Sequence, residues 1–190
     1  MNNKTKKMVG IGLFTAIVVV LQLVGGAIKV GGLFSISLVL VPIVVGAAVY
    51  GFDAGAWLGF AFGAAVLISG DAAPFMAIDV VGTVVTVLVK GIACGLVAGL
   101  VFQLLAKVNR LVGVLGAALI CPVVNTGVFL IGCRLFFFDT IVQWGEAAGF
   151  ANVGAYMFLG LAGINFLVEV ATNLVLAPVI TRLIRIGTKG

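Results

Sequence analysis

The chain has 190 residues, of which 63% are hydrophobic and 9% are charged, with a formal net charge of +5. Apolar runs recur along its whole length, which is typical of polytopic helical membrane proteins and excludes an ordinary soluble domain. The short alternating segments of a transmembrane barrel do not occur in the sequence. We therefore predict an all-α membrane protein that forms a single domain over residues 1–190.

Six apolar segments are predicted to cross the membrane as helices. An α-helix rises ~1.5 Å per residue, so about 20 residues match a hydrocarbon core of ~30 Å. The second and third segments are shorter, and a tight turn at 50–53 separates them. The predicted spans are 8–26, 35–50, 54–70, 79–106, 111–137 and 157–184.

The basic residues predict the orientation, because Lys and Arg are enriched in cytoplasmic segments. With six spans, three groups of basic residues fall on one side, so both termini are predicted to be cytoplasmic. The longer connections 25–34, 69–78 and 138–155 then face outward. Since the basic residues follow this rule, we do not expect nucleic-acid binding. The groups are Lys4, Lys6 and Lys7, then Lys107 and Arg110, then Arg182, Arg185 and Lys189.

Aromatic residues occur in the predicted outward connections, among them Phe75, Trp144 and Tyr156. Aromatic side chains at a membrane boundary commonly act as interfacial anchors. Stacking on a ligand is the alternative function for these three residues.

Small residues recur at every fourth position on three predicted spans, which allows helices to approach closely. On the third and fourth spans this pattern predicts internal packing. The first span differs, because Gly12 and Ala16 lie near its cytoplasmic end among Val, Ile and Leu residues. There we predict a smooth patch that receives a helix of another protein. The small residues of the other two spans are Gly55, Gly59, Gly63, Gly91, Gly95 and Gly99.

The fourth span carries a polar face in its first half only. Asp79, Thr83, Thr86 and Lys90 are spaced i, i+4, i+7 and i+11, which places them along one side of a helix. A polar groove is therefore predicted to enter from outside and to end near mid-membrane. Lysine near the bilayer centre costs ~2.5 kcal/mol or more, so Lys90 is interpreted either as a substrate ligand or as the ion-pair partner of Glu169.

Two further spans contribute polar residues at a similar depth. Asn165, Glu169 and Asn173 are spaced i, i+4 and i+8 on the sixth span. Asn125 follows Pro122, which frees backbone groups within the fifth span. Asn125 either satisfies those groups or faces the pocket.

These residues predict a pocket for a small organic solute, with few polar groups among apolar walls. Arg134 lies nearer the outer surface, where it either pairs with Asp139 or attracts an anionic solute. The predicted substrate-binding residues are Lys90, Asn125, Asn165, Glu169, Thr83, Thr86 and Arg134.

Several chemistries are excluded by missing motifs. The sequence has no G-x-x-x-x-G-K-[ST] motif for nucleotide hydrolysis, and the absence of histidine excludes a Ser-His couple. Cys94, Cys121 and Cys133 lie in apolar runs without disulfide or metal-binding spacing. We predict no enzymatic activity, no cofactor and no metal.

Segments in the middle of the chain match a known pattern. These segments are 41–46, 50–55, 58–60, 62–63, 89–100 and 125–127 with Phe129. Together with six short spans, cytoplasmic ends, an outward pocket and a small-x-x-x-small first helix, they resemble the substrate-binding (S) component of energy-coupling factor (ECF) transporters.

The resemblance implies a multi-pass subunit of a bacterial cell membrane that captures a vitamin outside with high affinity. Such a subunit joins a transmembrane coupling protein and two ATPase subunits. The surface that meets the coupling protein would include Gly12 and Ala16, although Val20 stands where a third small residue is expected. The third span is most similar to members that handle pantothenate, with riboflavin and folate as alternatives. A small carboxylate would also suit Lys90, unless Glu169 neutralises the lysine.

Two other functions are considered. A self-sufficient carrier or channel would need polar residues through the cytoplasmic half, which the fourth span lacks. A structural membrane subunit would leave Lys90 and Glu169 without a purpose beyond each other.

Overall fold

The structure, a computed structural model, describes residues 3–27, 29–30, 34–35 and 38–187. A two-residue antiparallel strand pair, β1 (Lys29–Val30) with β2 (Phe34–Ser35), lies between the first two helices. Lys189 lies outside the described residues. The helices are α1 (Asn3–Ala27), α2 (Leu40–Tyr50), α3 (Phe52–Ser69), α4 (Ala73–Met76), α5 (Val80–Leu105), α6 (Arg110–Phe136), α7 (Phe138–Ala147), α8 (Val153–Ala155), a π-helix (Tyr156–Gly163), α9 (Ile164–Val175) and α10 (Ala177–Gly187).

The predicted all-α membrane class is confirmed, because four of these helices are long and apolar enough to cross a membrane. They are α1, α3, α5 and α6, and each matches a predicted span. The bent pair Val153–Gly163 and Asn165–Val175 would make a fifth span. By length and composition, the described residues therefore supply four or five spans rather than the predicted six.

The second predicted span, 35–50, is shorter in the structure. Helix α2 has 11 residues, which corresponds to about 16 Å, roughly half of a hydrocarbon core. It begins at Leu40, five residues after the predicted start of this span, and Pro42 lies in its first turn, where proline is tolerated. Ile43 and Val44 are fully buried, so α2 is surrounded by protein rather than by lipid.

Helices α3 and α5 run antiparallel with their backbones in close contact. A Cβ atom added at Gly59 would collide with the carbonyl oxygen of Gly91, and one at Gly55 would collide with that of Gly95. Such contact brings van der Waals attraction that lipid cannot supply. The internal packing predicted for these glycines is confirmed.

The predicted sixth span, 157–184, is not one continuous helix. It contains most of the π-helix Tyr156–Gly163, all of α9 and most of α10. The π-helix and α9 are bent by 42° relative to each other. Gly163 lies at this bend and has no side chain that would obstruct it. A second break follows Leu176, and Pro178 lies in the first turn of α10.

Apolar side chains form two buried clusters. The larger one surrounds α2 and includes residues of α3, α5, α6 and α10. The smaller one joins α6, α7 and the π-helix, with Ile141 of α7 fully buried in it. Helix α7 lies within the connection predicted over 138–155, and it docks through Ile141 and Gly145 while Glu146 is exposed.

Lys107 and Arg110 lie at one end of the bundle, between the end of α5 and the first residue of α6. Arg110, at the start of α6, donates a hydrogen bond of 3.1 Å from Nη2 to the carbonyl oxygen of Ile184 in α10. A Cβ atom at Gly51, in the α2–α3 turn, would lie 3.7 Å from Gln103 Nε2 near the end of α5. Lys107 follows α5 directly. This end, with Lys107 and Arg110, is called the basic end below.

Candidate functional site

A cavity of about 120 Å³ lies in the half of the bundle away from the basic end. Helix α3 contributes Phe62 and Val66, which follow its glycine contacts, and α5 contributes Val87 and Lys90. Lys90 lies about 15 Å along α5 from its first residue, at ~1.5 Å per residue. The cavity therefore reaches towards the middle of the longest helices. Its polar lining residues are Gln22, Asp71, Lys90, Asn125, Thr126, Asn165 and Glu169.

A buried carboxylate forms the centre of the polar lining. Glu169 of α9 is 2% exposed. Its Oε1 accepts a hydrogen bond of 3.1 Å from Asn165 Nδ2, and its Oε2 accepts one of 3.5 Å from Asn125 Nδ2. The i, i+4 spacing of Asn165 and Glu169 brings them together on one helix, and Asn125 reaches them from α6. Hydrogen bonds to both oxygens compensate part of the cost of burying this group.

The ammonium group of Lys90 lies among aromatic rings. Its Nζ is 5.5 Å from the centre of the Phe62 ring and 5.6 Å from that of Phe129. A cation at ~6 Å or less from a ring is attracted by the ring quadrupole. Among the side chains that the structure describes, the hydrogen bonds of Glu169 come from asparagines and not from Lys90. A direct ion pair between the two residues, one of the two interpretations of Lys90, is therefore not formed.

Aromatic side chains form the remaining wall. Phe75 of α4 lies at the centre of a group in which its ring centre is 5.6 Å from Phe129, 5.1 Å from Phe137 and 5.6 Å from Trp144. Phe75, Phe129 and Trp144 line the cavity. Tyr156 instead packs against Phe150, with the ring centres 5.3 Å apart.

A hydrogen bond joins α1 to the connection after α3. Gln22 is buried, and its Nε2 donates to Asp71 Oδ2 at 2.6 Å. Both residues line the cavity. This contact places α1 beside the cavity wall, although most of the helix is exposed.

Three of the predicted substrate-binding residues lie away from the cavity lining. Thr83 Oγ1 donates to the backbone carbonyl of Asp79 at 2.6 Å. Thr86 packs against Gly132 of α6, where any added side chain would collide with it. Because α6 closes against α5 at this level, the groove predicted at Thr83 and Thr86 is filled, and α5 lines the cavity through Val87 and Lys90 instead. The exposed Arg134 has its guanidinium carbon 3.7 Å from the centre of the Phe138 ring.

Other lining residues were not among the predicted ones. Gln22 is the one polar side chain in the run 16–24 of the first span, and that signal was available in the sequence. Asp71 and Phe75 belong to a connection whose path follows from tertiary packing. In the sequence, nothing distinguishes Phe62 from the other apolar residues of α3.

Between the cavity and the basic end the described side chains are mostly apolar, apart from the buried Asn173 of α9. Cys94, Ala98, Val114, Ala117 and Cys121 are fully buried there. No polar path continues past Lys90 and Glu169 through these positions. Within the described residues, no group of three or more His, Cys, Asp and Glu side chains could hold a metal ion.

Comparison with known proteins identifies the family. A family model described as ECF transporter, substrate-specific component, matches residues 6–181. No curated protein and no solved structure matches the chain significantly. The family match includes all the helices that line the cavity. The chain therefore belongs to the family of substrate-specific components of ECF transporters.

Proposed function

We propose that this chain captures a small water-soluble vitamin outside a bacterial cell and delivers it to an ATP-driven coupling module. The family supports a substrate-specific transporter subunit. The observation that carries the proposal is the cavity in which Lys90, Asn125, Asn165 and Glu169 meet between largely apolar helices. Cavities with apolar walls and a few polar groups suit small organic ligands.

These four residues are proposed as the substrate-binding residues. Lys90 supplies hydrogen-bond donors, whereas Glu169 and the asparagine oxygens supply acceptors. Polar and charged groups at membrane depth are costly, and a ligand that pairs with them repays part of that cost. Thr83 and Thr86 are assigned to packing between α5 and α6, for the contacts given above.

The proposed orientation has the basic end in the cytoplasm and the cavity open to the outside. It rests on the rule that Lys and Arg accumulate on the cytoplasmic side. Lys107 and Arg110 lie at the end of the bundle opposite the cavity, and Arg110 contacts α10 near Arg182. Under this orientation a solute enters through the side of the molecule that carries Asp71 and Trp144.

The proposed partner is a transmembrane coupling protein that works with two ATPase subunits. Its contact surface on this chain is proposed at Gly12 and Ala16, which are exposed on α1. A Cβ atom at Gly12 would meet no atom within 4 Å apart from the adjacent backbone of α1. The backbone of α1 is thus accessible to a helix from another protein at this point.

A self-sufficient channel or carrier is disfavoured by the apolar packing below the cavity. Cys94, Ala98 and Cys121 leave no exposed surface there. A continuous polar path would have to open through these residues for the chain to transport alone.

The test is the identification of small molecules released from the purified protein by mass spectrometry. We expect one vitamin at close to one molecule per chain, and no uptake into liposomes that contain this chain alone. A well-folded protein that releases no small molecule and binds no vitamin would contradict the proposal.

A further inference from the structure

The polar end of the cavity presents hydrogen-bond acceptors that lack donors among the described residues. Asn125 is 4% exposed, and its buried Oδ1 has no hydrogen-bond partner there. The amide orientation is fixed by chemistry, because the NH₂ group must face the Glu169 carboxylate and the oxygen must face away. The carboxylate itself has about four acceptor positions, of which two are used by asparagines. A ligand that brings N–H or O–H donors to this end of the cavity would therefore complement these acceptors.

A donor lies on another wall of the same cavity. The Lys90 ammonium has three N–H bonds and no acceptor capacity. The rings of Phe62 and Phe129 lie near it, and they attract the charge but accept no ordinary hydrogen bond. The ligand should thus also carry an acceptor, on the side that faces Lys90.

Glu169 argues against a free carboxylate on the part of the ligand that enters the cavity. Its buried negative charge lines the same small space as Lys90. An anionic ligand group would gain from Lys90 but would be repelled by Glu169, and neither interaction is screened well away from bulk water. A neutral group with separate donor and acceptor sites satisfies both residues at once.

The walls favour a flat ring. Phe62, Phe75, Phe129 and Trp144 supply four aromatic side chains to the lining. Aromatic pairs prefer offset-stacked or edge-to-face arrangements, which a planar ligand can extend. The volume of about 120 Å³ is close to that of a cavity of ~150 Å³ that accommodates benzene. One six-membered ring therefore fits, and the rest of the ligand would extend towards Asp71 and Trp144.

Resting on the proposed function, we propose that the substrate enters the cavity with an uncharged, aminopyrimidine-type ring. Its amino N–H groups donate to Glu169 and to Asn125 Oδ1, and a ring nitrogen accepts from Lys90. The aromatic residues hold the ring faces and edges. This substrate class differs from the aliphatic carboxylate that the third-span resemblance favours.

The experiment is calorimetric titration of the purified full-length chain in lipid nanodiscs. Thiamine and folate carry an aminopyrimidine ring, free or fused, whereas pantothenate is an aliphatic carboxylate and biotin carries a saturated ureido bicycle instead of an aromatic ring. We expect sub-micromolar binding of thiamine, folate or both, and no binding of pantothenate or biotin. As a matched pair of single-ring probes, 4-amino-2-methylpyrimidine should displace the bound vitamin at least tenfold more effectively than 2-methylpyrimidine, which lacks the amino group.

A variant with a matched control tests the residue roles. Glu169→Gln keeps the side-chain shape and removes the charge, and we expect at least tenfold weaker binding of the heterocyclic vitamin. Glu146→Gln makes the same chemical change on the exposed side of α7, away from the cavity, and should leave affinity unchanged. The probe comparison uses the unmodified protein, so it decides the question even if the Glu169 variant does not fold.

The outcomes separate this inference from the proposed function. Binding of pantothenate or biotin without binding of thiamine or folate overturns the ring proposal and leaves the vitamin-capturing function intact. Equal displacement by the two pyrimidine probes, or unchanged heterocycle affinity in a folded Glu169→Gln variant, also overturns it. Failure of every vitamin to bind, together with no released small molecule, overturns both.

Discussion

Lys90 and Glu169 line one cavity without forming an ion pair with each other. The lysine ammonium lies over the rings of Phe62 and Phe129, and the carboxylate accepts hydrogen bonds from two asparagines. Each charge thus has its own local environment. This separation leaves room for a ligand to bridge a donor and an acceptor, which a direct ion pair would have closed.

Replacing Lys90 should weaken vitamin binding. Lys90→Met keeps the apolar stem and removes the donors, and we expect affinity to fall at least tenfold, or about 1.4 kcal/mol. The matched control is Lys107→Met, which makes the same change at an exposed position beyond the end of α5. Calorimetric titration of both folded variants is the measurement. An unchanged dissociation constant for Lys90→Met would remove this residue from the site.

Two buried asparagines should respond differently to replacement by leucine. Asn125→Leu deprives the buried Glu169 carboxylate of a hydrogen bond, so we expect a loss of about 1–3 kcal/mol in stability. It should also weaken vitamin binding at least tenfold. Asn173 is equally buried, but its Nδ2 has no partner among the described residues. Asn173→Leu should therefore be neutral or stabilising. Thermal unfolding in detergent would measure both, and equal effects would contradict the contrast.

The two tryptophans provide an optical test. Trp144 lines the cavity, whereas Trp57 is 51% exposed on α3 and donates to Thr15 Oγ1 at 3.1 Å. We expect vitamin binding to change the fluorescence of Trp144. The change should disappear in Trp144→Phe and persist in Trp57→Phe. A signal that follows Trp57 instead would place the ligand elsewhere.

Alanine substitutions at two glycines should have opposite effects on stability. At Gly59 the new methyl group would collide with the backbone of Gly91, and α3 would have to move away from α5. We expect Gly59→Ala to destabilise by about 1–3 kcal/mol, as overpacked sites do. At Gly12 no atom lies within 4 Å of the new methyl group apart from the adjacent backbone of α1. Gly12→Ala should therefore be neutral or stabilising by about 0.5–1 kcal/mol, because alanine favours helices. The comparison is made by thermal unfolding in one detergent.

The proposed partner surface predicts a separation of binding from uptake. Gly12→Leu and Ala16→Leu add bulk on the exposed side of α1, far from the cavity lining, so vitamin affinity should stay unchanged. Uptake in cells that contain the coupling module should fall at least fivefold, because the two helices can no longer approach. Ala171→Leu adds the same bulk at an exposed position of α9 and serves as control. Normal uptake by both α1 variants would exclude this surface.

The helical class and the close α3–α5 contact follow directly from sequence. Apolar length decides that α1, α3, α5 and α6 can span a membrane, and glycines at every fourth position predict a contact without side chains. The polar spacing also brought Lys90, Asn125, Asn165 and Glu169 together as candidates. They lie in one cavity because costly polar groups in apolar helices face protein rather than lipid.

Other features depend on tertiary contacts that periodicity does not encode. Thr83 and Thr86 share a helical face with Lys90, yet Gly132 lets α6 close over Thr86. The aromatic wall around Phe75 forms because α4 packs against α6 and α7. The apolar sequence of this connection does not predict that contact. Hydropathy also does not predict that α2 begins only at Leu40, or that the last span bends at Gly163. Both segments are continuous apolar runs in the sequence.

The glycine contacts between α3 and α5 also determine which parts of the molecule can respond to a ligand. Gly55 contacts Gly95 and Gly59 contacts Gly91, so no rotatable side chain separates the two backbones. We therefore expect α3 and α5 to move together as one rigid unit. Phe62 and Lys90 belong to this rigid unit. The cavity can then adjust to ligands of different size only through the elements opposite α3 and α5, which are α4, α7 and the bent segment that carries Glu169. Selectivity engineering should begin on that adaptable side.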